Sequence, residues 1–376
     1  MELTLKRTDF LAGLAMVQGI VERRNTVPIL GHVLMHVEDT ALKLAATDLE
    51  VGIRTQLPCA AAKADAQFTL GARKLFEVVR EAEGDTITLK TLDNDWIELR
   101  CGRARFKMMG LDPRSFPAMP ERNADGAARR TAGTLTLDAA VLAQMIDRTI
   151  FAVSPDEARY NLSGVYLESP AAGAARMVAT DGHRLALIDR EAAGFTMTGG
   201  VIIPRKGLAE LRKLLAEPAA ETTVELVLDG QLARCRRGPS EVSMRLIEGE
   251  FPDYRGVIPK TSRFHIALPR ETLISTIRRA AIFSNERFHG VKLAFAPGTM
   301  TVSSTSPETG EASETVEVDF HGDEFSVGFN AAYLQQVLAV LDDGPITLGL
   351  TDDVSPGVIT AETDSAFQYV VMPMRL

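Results

Sequence analysis

The sequence has little of several residue types, and each shortage excludes a class of protein. Three of the 376 residues are cysteine, and they form no Cys-x-x-Cys pair. We therefore expect reduced structural thiols at Cys59, Cys101 and Cys235 rather than disulfides or a zinc site. No apolar run approaches the roughly 18 residues that a membrane span needs. The segment MELTLKRTDF lacks the apolar centre of a signal peptide. These absences predict a cytoplasmic protein without membrane contact.

Sequence motifs of catalysis are missing as well. The segment PRKG has no glycine-rich phosphate cradle, and no G-x-S-x-G or G-x-G-x-x-G pattern follows a predicted strand. His32 and His36 are four residues apart, but no further ligand cluster lies near them in the sequence, which disfavours a zinc site. We expect no catalytic residue, no metal and no cofactor. The net charge of −9 argues against a generally basic nucleic-acid binder and leaves a local basic surface open.

What the sequence does contain is a threefold repeat. LKLAATD ends near Thr47, RMVATD near Thr180, and a weaker copy, TVSSTS, near Thr305, with spacings of 133 and 125 residues. One amphipathic pattern recurs in TDFLAGLAMVQGIV, LDAAVLAQMIDRTI and LPRETLISTIRRAAI. A second recurs in GARKLFEVVREAEG, PRKGLAELRKLLAE and NAAYLQQVLAVLDDG. Short alternating runs with Asp-Gly and Pro-Gly turns lie between them.

The repeat predicts an α+β fold of three tandem similar domains, each with two helices and antiparallel sheets. We place these domains at residues 1–125, 126–260 and 261–376.

The segment VATDGHRL places an acid, a base and a cation within four residues, at Asp181, His183 and Arg184. In the first repeat, Asp48 is followed by Leu-Glu instead of Gly-His-Arg. The Thr-Asp part is therefore shared scaffold, and Gly-His-Arg belongs to the second repeat alone. From these residues two interpretations stay open: a catalytic loop, or a structural or ligand-contacting loop.

Nine phrases spread along the whole chain are distinctive: TVPILGHVL, ATDLE, ARKLFE, ATDGHRLA, VIIPRKG, FPDYRGVIP, AAIFSNERFHGV, GFNAAYL and YVVMPMRL. In these phrases and their order the chain resembles the beta subunit of bacterial DNA polymerase III, the DNA sliding clamp. The resemblance implies the DNA-clamp fold, in which a head-to-tail homodimer forms a closed ring around double-stranded DNA. It also implies a non-catalytic processivity factor, with polymerase and 3'-5' exonuclease activity residing in partner proteins.

The resemblance further implies partners that bind through short linear motifs. These are the replicative polymerase alpha subunit, the clamp loader delta subunit, translesion polymerases and mismatch-repair proteins. The DNA contacts it implies are Arg24, Arg159, Tyr160 and Lys206. Asn161 stands where the family often has a second aromatic residue. A clamp should hold phosphates without reading bases, so we expect basic helices. Their candidate cations are Arg73, Lys74, Arg80, Arg205, Arg212, Lys213, Arg270, Arg278 and Arg279.

Ring closure needs a joint between two chain edges. The segment IELRCGRARFKMM places Arg103, Arg105 and Lys107 on one face of a predicted strand, and PETGEASETVEV carries Glu308, Glu311, Glu314 and Glu317. A basic edge that meets an acidic edge favours head-to-tail pairing. The resemblance adds the packing of Phe106 against Ile282 and Phe283.

The C-terminal segment YVVMPMRL is apolar almost to its end, so we expect it to be docked. Methionines make an adaptable surface for different partners. The resemblance implies a peptide-binding pocket between domains 2 and 3, with His183 and Arg184 as polar groups at its rim. Its residues would be Leu162, Thr180, Gly182, His183, Arg184, Leu185, Pro252, Val257, Phe288, Asn330, Tyr333, Val354, Val370, Met372, Pro373, Met374 and Arg375.

Gly256 and Pro356 stand where the enterobacterial pattern has arginine and serine, so partner preference is expected to differ in detail. Two rival functions remain to be weighed. An enzyme built on the Asp-His-Arg triplet lacks a cofactor motif and a reason for the repeat. A repeat scaffold that never touches DNA leaves the basic helices without a purpose.

Overall fold

The computed structural model describes residues 1–21, 26–61, 65–119, 132–156 and 158–376. Six α-helices lie in this part of the chain: α1 (Arg7–Gln18), α2 (Ala72–Glu81), α3 (Ala139–Asp147), α4 (Arg205–Ala216), α5 (Arg270–Ala281) and α6 (Ala331–Val340). Five lie within the segments that the apolar spacing predicts, and α1 begins one residue before its segment, which starts at Thr8. In α4, for example, Leu208, Leu211 and Leu214 are all buried, which is the pattern of a helix that covers a core with one face.

The strands of the first repeat are β1 (Glu2–Lys6), β2 (His32–Glu38), β3 (Ala41–Thr47), β4 (Val51–Pro58), β5 (Ala60–Ala61), β6 (Ala66–Gly71), β7 (Thr86–Thr91), β8 (Trp96–Cys101) and β9 (Ala104–Met109). Those of the second are β10 (Ala132–Asp138), β11 (Gly164–Glu168), β12 (Ala174–Thr180), β13 (Arg184–Glu191), β14 (Gly200–Pro204), β15 (Thr223–Asp229), β16 (Leu232–Arg237) and β17 (Ser240–Arg245). The third repeat holds β18 (Phe264–Pro269), β19 (Gly290–Ala296), β20 (Thr299–Ser306), β21 (Gly310–Glu317), β22 (Phe325–Asn330), β23 (Pro345–Leu350), β24 (Gly357–Ala361) and β25 (Asp364–Val371).

All three repeats share one order: strand, helix, four strands, helix, three strands, with the two-residue β5 added in the first. The threefold repeat and the α+β class predicted from the sequence are thereby confirmed. All strand pairs are antiparallel, as the short hairpin connections require.

Half-sheets of consecutive repeats join into larger sheets. One eight-stranded sheet has the order β10-β15-β16-β17-β4-β3-β2-β6, and another has β14-β11-β12-β13-β25-β24-β23-β18. In both, the last strand of one repeat pairs with the fourth strand of the repeat before it. The two joints also share a register, because Val51 pairs with Met244 and Arg184 pairs with Val371. The remaining half-sheets, β5-β1-β7-β8-β9 and β21-β20-β19-β22, end at the edge strands β9 and β21.

Two compact units result from these joints. The first contains Met1–Ala143 with Lys206–Leu246, and the second contains Gln144–Arg205 with Ile247–Leu376. These units cut across the repeats, since each eight-stranded sheet takes four strands from one repeat and four from the next. The core of each half-sheet comes from alternate residues, as in β3, where Leu42, Leu44 and Ala46 are fully buried.

Candidate functional site

The Thr-Asp turns of the first two repeats have the same hydrogen bonds. The Thr180 hydroxyl donates to the Arg184 carbonyl at 2.6 Å, and the Asp181 carboxylate accepts the N–H groups of His183 and Arg184 at 2.9 and 3.1 Å. In the first repeat, the Thr47 hydroxyl donates to the Val51 carbonyl, and the Asp48 carboxylate accepts the N–H groups of Glu50 and Val51. The local chemistry of Thr and Asp side chains explains this turn. The prediction of shared scaffold is confirmed.

The third residue of this turn needs a positive φ. Gly182 has φ 90°, and Leu49 occupies the same place in the first repeat with φ 83°. A glycine adopts this conformation without strain, whereas a leucine does so at a cost. The glycine of the GHRL segment therefore lets the chain reverse between β12 and β13.

Arg184 is buried, so its predicted place at the rim of a pocket is wrong. Its side chain is 6% exposed and pairs with Asp181, which is equally buried. The guanidinium also donates to the Phe151 carbonyl at 2.6 Å and to the Gln336 side chain, and it lies 4.3 Å from the centre of the Tyr333 ring. A planar guanidinium satisfies this many partners at once, which a lysine ammonium would not.

The surroundings of Tyr333 favour this stacking arrangement. Burial raises the pKa of the Tyr333 phenol, and the Asp181 carboxylate adds to the effect. The ring is therefore neutral and presents its electron-rich face to the cation. Arg184 thus works as a structural clamp between β13 and α6.

The catalytic interpretation of the triplet finds no support in this geometry. Both oxygens of the Asp181 carboxylate bind the turn backbone and Arg184, and neither binds the imidazole of His183. The His183 side chain is exposed. Across the described ranges, no three His, Cys, Asp or Glu side chains lie close enough to hold a metal ion. His32 binds the Thr69 hydroxyl, and His36 pairs with Asp65.

The C-terminal segment is docked, as predicted. The Met372 N–H donates to the His183 carbonyl and the Met374 N–H donates to the Gly328 carbonyl, each at 2.9 Å. The Leu376 side chain lies over Gly328 and Gly290, where a Cβ on either glycine would collide with it. The tail therefore continues from β25 past the GHRL segment and onto β22 and β19.

An apolar patch lies on the sheet beside the tail. Leu185 of β13 pairs with Val370 of β25, and both belong to a buried cluster with Val178, Leu187 and Tyr254. Four large apolar side chains predicted for the pocket are exposed: Val257 by 48%, Phe288 by 56%, Val354 by 63% and Met372 by 42%. Large apolar side chains that stay exposed are candidates for a binding surface.

The other predicted pocket residues take different positions. Leu162 and Thr180 are buried, and Asn330 caps α6 by accepting the N–H groups of Ala332 and Tyr333. The Asn330 amide also donates to the Phe288 carbonyl at 3.4 Å. Exposed positions are held by Gly182, Pro252 and Arg375, and partly buried ones by Tyr333, Pro373 and Met374. The structure therefore brings together the GHRL segment, the tail, and the strand ends of β13 and β25.

The side chains predicted to contact DNA differ in their exposure and in the partners that they already bind. Tyr160 is 59% exposed, and the Asn161 amide donates to the Glu250 carbonyl. The Arg159 guanidinium donates to the Asp156 carboxylate at 3.0 Å and to the Asp181 carbonyl at 3.1 Å. The Lys206 ammonium pairs with the Asp48 carboxylate. Arg24 lies outside the described residues.

Several cations of the predicted basic helices bind partners inside their own unit. Arg73 donates to the Val21 carbonyl, Lys74 pairs with Glu77, and Arg279 pairs with Glu314. Arg270 is 15% exposed and pairs with Asp343. Arg205 and Arg278 are exposed as well, and so is Lys213, which pairs with Glu210.

The two edge strands carry the charges predicted for them, with two changes. On β9, Arg105 and Lys107 are exposed, whereas Arg103 lies in the preceding turn. On β21, Glu311 and Glu317 face solvent, while Glu314 points to the opposite face and binds Arg279 of α5. The four acidic residues therefore do not share one face, because residues 311 and 314 differ in strand parity.

Sequence reasoning missed the acid beneath this basic strand. Glu98 of β8 has a side chain only 2% exposed, and it pairs with both Arg100 and Arg105. Alternation within WIELRC carries a signal for it, since Glu98 falls between two core positions. It also missed Phe151 and Gln336 as partners of Arg184, and nothing in the local sequence points to them.

Apolar groups flank the β21 edge. Ile282, directly after α5, is 72% exposed. The Phe283 ring lies near Gly310, the first residue of β21, and Glu308 is exposed in the turn before it. Phe106 is partly buried on β9. None of the helices in the described ranges is long and apolar enough to cross a membrane.

Three tandem repeats with joined sheets and exposed apolar side chains beside the C-terminal segment define a repeat protein with a candidate binding surface. Comparison with known proteins specifies which one. Family profiles of the DNA polymerase III beta subunit match the N-terminal domain at residues 1–120, the central domain at 136–253 and the C-terminal domain at 255–375. The beta sliding clamp of Caulobacter vibrioides is 37% identical over 382 residues, covering 100% of both chains. That of Pseudomonas putida is 35% identical over 379 residues, again with 100% of both chains.

Solved structures agree. The Pseudomonas aeruginosa sliding clamp bound to griselimycin has a TM-score of 0.90 at 34% identity, and Caulobacter crescentus pol III beta has 0.89 at 36%, each covering 100% of both chains. The chain therefore belongs to the DNA polymerase III beta subunit family, the sliding clamps. Its function is that of the family, a processivity factor in DNA replication that is not itself an enzyme.

Proposed function

We propose that two copies of this chain pair head to tail, β9 of one against β21 of the other, and close a ring around double-stranded DNA. The strand topology carries this proposal. The last strand of the second repeat pairs with the fourth of the first, and the last of the third pairs with the fourth of the second. The equivalent strands left over are β9, last in the first repeat, and β21, fourth in the third. In a ring of two copies, β9 of each copy would pair with β21 of the other, so that both edges are covered.

Side chains at the two edges support the same pairing. Lys107 and Arg103 bring positive charge to β9, and Glu311 and Glu317 bring negative charge to β21. Opposite charges favour β9 against β21 over β9 against β9. The exposed Ile282 and the adjacent Phe283 supply apolar area that pairing with Phe106 would bury.

Sedimentation equilibrium tests the ring. We expect a dimer at micromolar concentration, with charge reversal at Lys107 and Arg103 weakening it and a compensating reversal at Glu311 and Glu317 restoring it. A wild-type monomer at low salt would contradict the proposal. A dimer that the reversals at Lys107 and Arg103 alone leave unchanged would place the joint elsewhere.

DNA is held in this ring through phosphates, by Arg24, Arg159, Lys206 and the neighbouring Tyr160. Contacts to phosphates are independent of sequence and exchange readily, which permits sliding. The Lys206 ammonium must then be shared between the Asp48 carboxylate and a phosphate. A processivity assay with a clamp loader on primed circular DNA tests the function. The Arg24→Ala, Lys206→Ala double variant should bind DNA with a shallower salt dependence, and an unchanged slope would exclude these residues.

Partner proteins bind the exposed apolar side chains of Val257, Phe288, Val354 and Met372, which are predicted to lie beside the buried pair Leu185 and Val370. The exposed apolar side chains and the docked methionine tail support a site for a short linear motif. The polymerase alpha subunit, the loader delta subunit, translesion polymerases and mismatch-repair proteins would compete for it in the cytoplasm at the nucleoid. A labelled Gln-Leu-x-Leu-Phe type peptide should bind, and Met372→Asp should abolish binding. If the peptide does not bind the wild-type protein, the proposed peptide pocket is contradicted.

A further inference from the structure

A second groove lies beside the apolar patch and shares none of the residues predicted for the peptide pocket. Its volume is about 340 Å³. One wall is the sheet, with β12, β13 and β25, and the other is the segment from Tyr254 to Lys260. The residues that carry the argument below are Arg176, Leu187, Asp189, Tyr254, Arg255 and Lys260.

The groove is continuous with the apolar patch. Leu185, Leu187 and Asp189 project from the same face of β13, since alternate residues of a strand share a face. Leu185 pairs with Val370 and Leu187 with Gln368. Leu187 and Tyr254 belong both to the apolar cluster and to the groove. At roughly 3.3 Å per residue, the face extends about 13 Å from Leu185 to Asp189. Leu185 and Leu187 are themselves buried, so the accessible connection is the segment from Tyr254 to Lys260, which carries the exposed Val257 of the predicted pocket and, three residues on, the exposed Lys260.

The groove is polar and its charge is positive. The Asp189 carboxylate is bound by the Arg176 guanidinium through two hydrogen bonds of 2.6 Å, so its charge is neutralised in place. Arg255 pairs with Glu168, which also accepts a hydrogen bond from the Tyr254 hydroxyl. Lys260 is exposed, and its ammonium has no ion-pair partner in the part of the chain that the structure describes.

We propose that this groove receives the residues next to the apolar motif of a partner peptide and selects an acidic side chain there, with Lys260 as the attracting charge. The inference rests on the proposed peptide pocket, which supplies the anchor. Lysine suits this role because its long flexible stem reaches carboxylates at several positions. Apolar anchoring then supplies the binding energy, while the charge adds preference among partners.

The test uses a labelled Gln-Leu-x-Leu-Phe type peptide with four-residue extensions. One version carries Ser-Ser in both extensions, a second has Asp-Asp at its N-terminal end, a third has Asp-Asp at its C-terminal end, and a fourth has Lys-Lys. We expect Asp-Asp at one end to lower Kd about two- to fivefold at low salt, the range of exposed ion pairs. High salt should remove the gain.

Variants assign the effect to the groove. Lys260→Ala should cancel the gain from Asp-Asp and leave the Ser-Ser peptide unchanged, and Lys260→Arg should keep the gain. Lys90→Ala, at an exposed lysine on β7 of the other unit, is the matched control and should change nothing. If neither Asp-Asp peptide binds more tightly, or if the gain survives in Lys260→Ala, the inference is overturned. If the Ser-Ser peptide itself does not bind, the peptide pocket fails and this inference falls with it.

Discussion

The guanidinium carbon of Arg184 lies 4.3 Å from the centre of the Tyr333 ring, and both residues are far apart in the sequence. The same guanidinium reaches Asp181, Phe151 and Gln336. One side chain therefore ties the GHRL segment to α6 and to the turn after α3. A segment that resembles a catalytic triplet is held in place by its arginine, while His183 and Met372 stay exposed.

Replacing this arginine should destabilise the second unit. Arg184→Lys keeps the charge but loses the stacking on Tyr333 and most of the hydrogen bonds. We expect a loss of about 2–4 kcal/mol in the free energy of unfolding, as for a broken buried network. Urea unfolding measures it. His183→Ala, at an exposed neighbour, should stay within about 0.5 kcal/mol. Equal losses of stability in the two variants would contradict the structural role of Arg184.

The Thr-Asp turns allow a paired test of backbone strain. Gly182→Ala should cost about 1–2 kcal/mol because a Cβ is unfavourable at positive φ. Leu49→Gly, at the matching position, should be neutral or slightly stabilising, since it relieves the same strain. Thermal unfolding of both variants gives the comparison. A Gly182→Ala variant as stable as wild type would mean that the turn readily adopts another conformation.

Two exposed apolar residues should separate assembly from peptide binding. Ile282→Asp is expected to yield monomers that still bind the peptide, because Ile282 flanks the β21 edge and is 72% exposed. Val354→Asp should leave the dimer intact and weaken peptide binding at least about tenfold, the effect of burying an unpaired charge. Each variant is the control for the other. Sedimentation and fluorescence anisotropy provide the two measurements, and a variant that loses both properties would indicate misfolding.

The three cysteines should differ in reactivity. Burial raises the pKa of the Cys235 thiol to about 12, so almost no thiolate forms at pH 8. The Cys101 thiol is buried and donates to the Glu83 carbonyl. Cys59 is partly exposed. We expect one reactive thiol per native chain and three in denaturant with a colorimetric thiol reagent. Rapid labelling of a Cys59→Ser variant would contradict this.

The pair of Arg279 and Glu314 should contribute stability that depends on pH. The hydrogen bonds from Arg279 hold the pKa of Glu314 below its usual range. A carboxyl group with a lowered pKa stabilises the fold above the pKa of the unfolded chain, about 4.3, and loses this effect as pH falls through the folded value. The stability difference between wild type and Glu314→Gln should therefore be present at pH 7 and shrink toward zero near pH 3. A difference independent of pH would exclude the ion pair as its cause.

Gly256 can accept a larger side chain without a change of fold. Nothing lies within 4 Å of a Cβ placed there, and the backbone does not require glycine. Restoring the enterobacterial arginine is compatible with the structure in steric terms, and it adds positive charge next to Arg255.

The sequence by itself determined what depends on residues close together in the chain. Apolar spacing predicted all six helices, and the Thr-Asp turns followed from side chains that bind backbone groups within four residues. The threefold repeat was legible because each copy repeats these local signals. The docking of the apolar segment YVVMPMRL was also predictable, since apolar side chains need a surface to cover.

Only the tertiary structure decided which half-sheets join and which cations are free. The pairing of β17 with β4 depends on strands almost two hundred residues apart, and strand patterns alone do not choose between edges. From the sequence, Arg184 was expected at the surface, whereas in the fold it is buried beside Phe151, Gln336 and Tyr333. Lys206 and Arg279 pair with the carboxylates of Asp48 and Glu314, which lie far from them in the sequence. Charge and burial are properties of the surroundings of a side chain, and those surroundings exist only once the chain has folded.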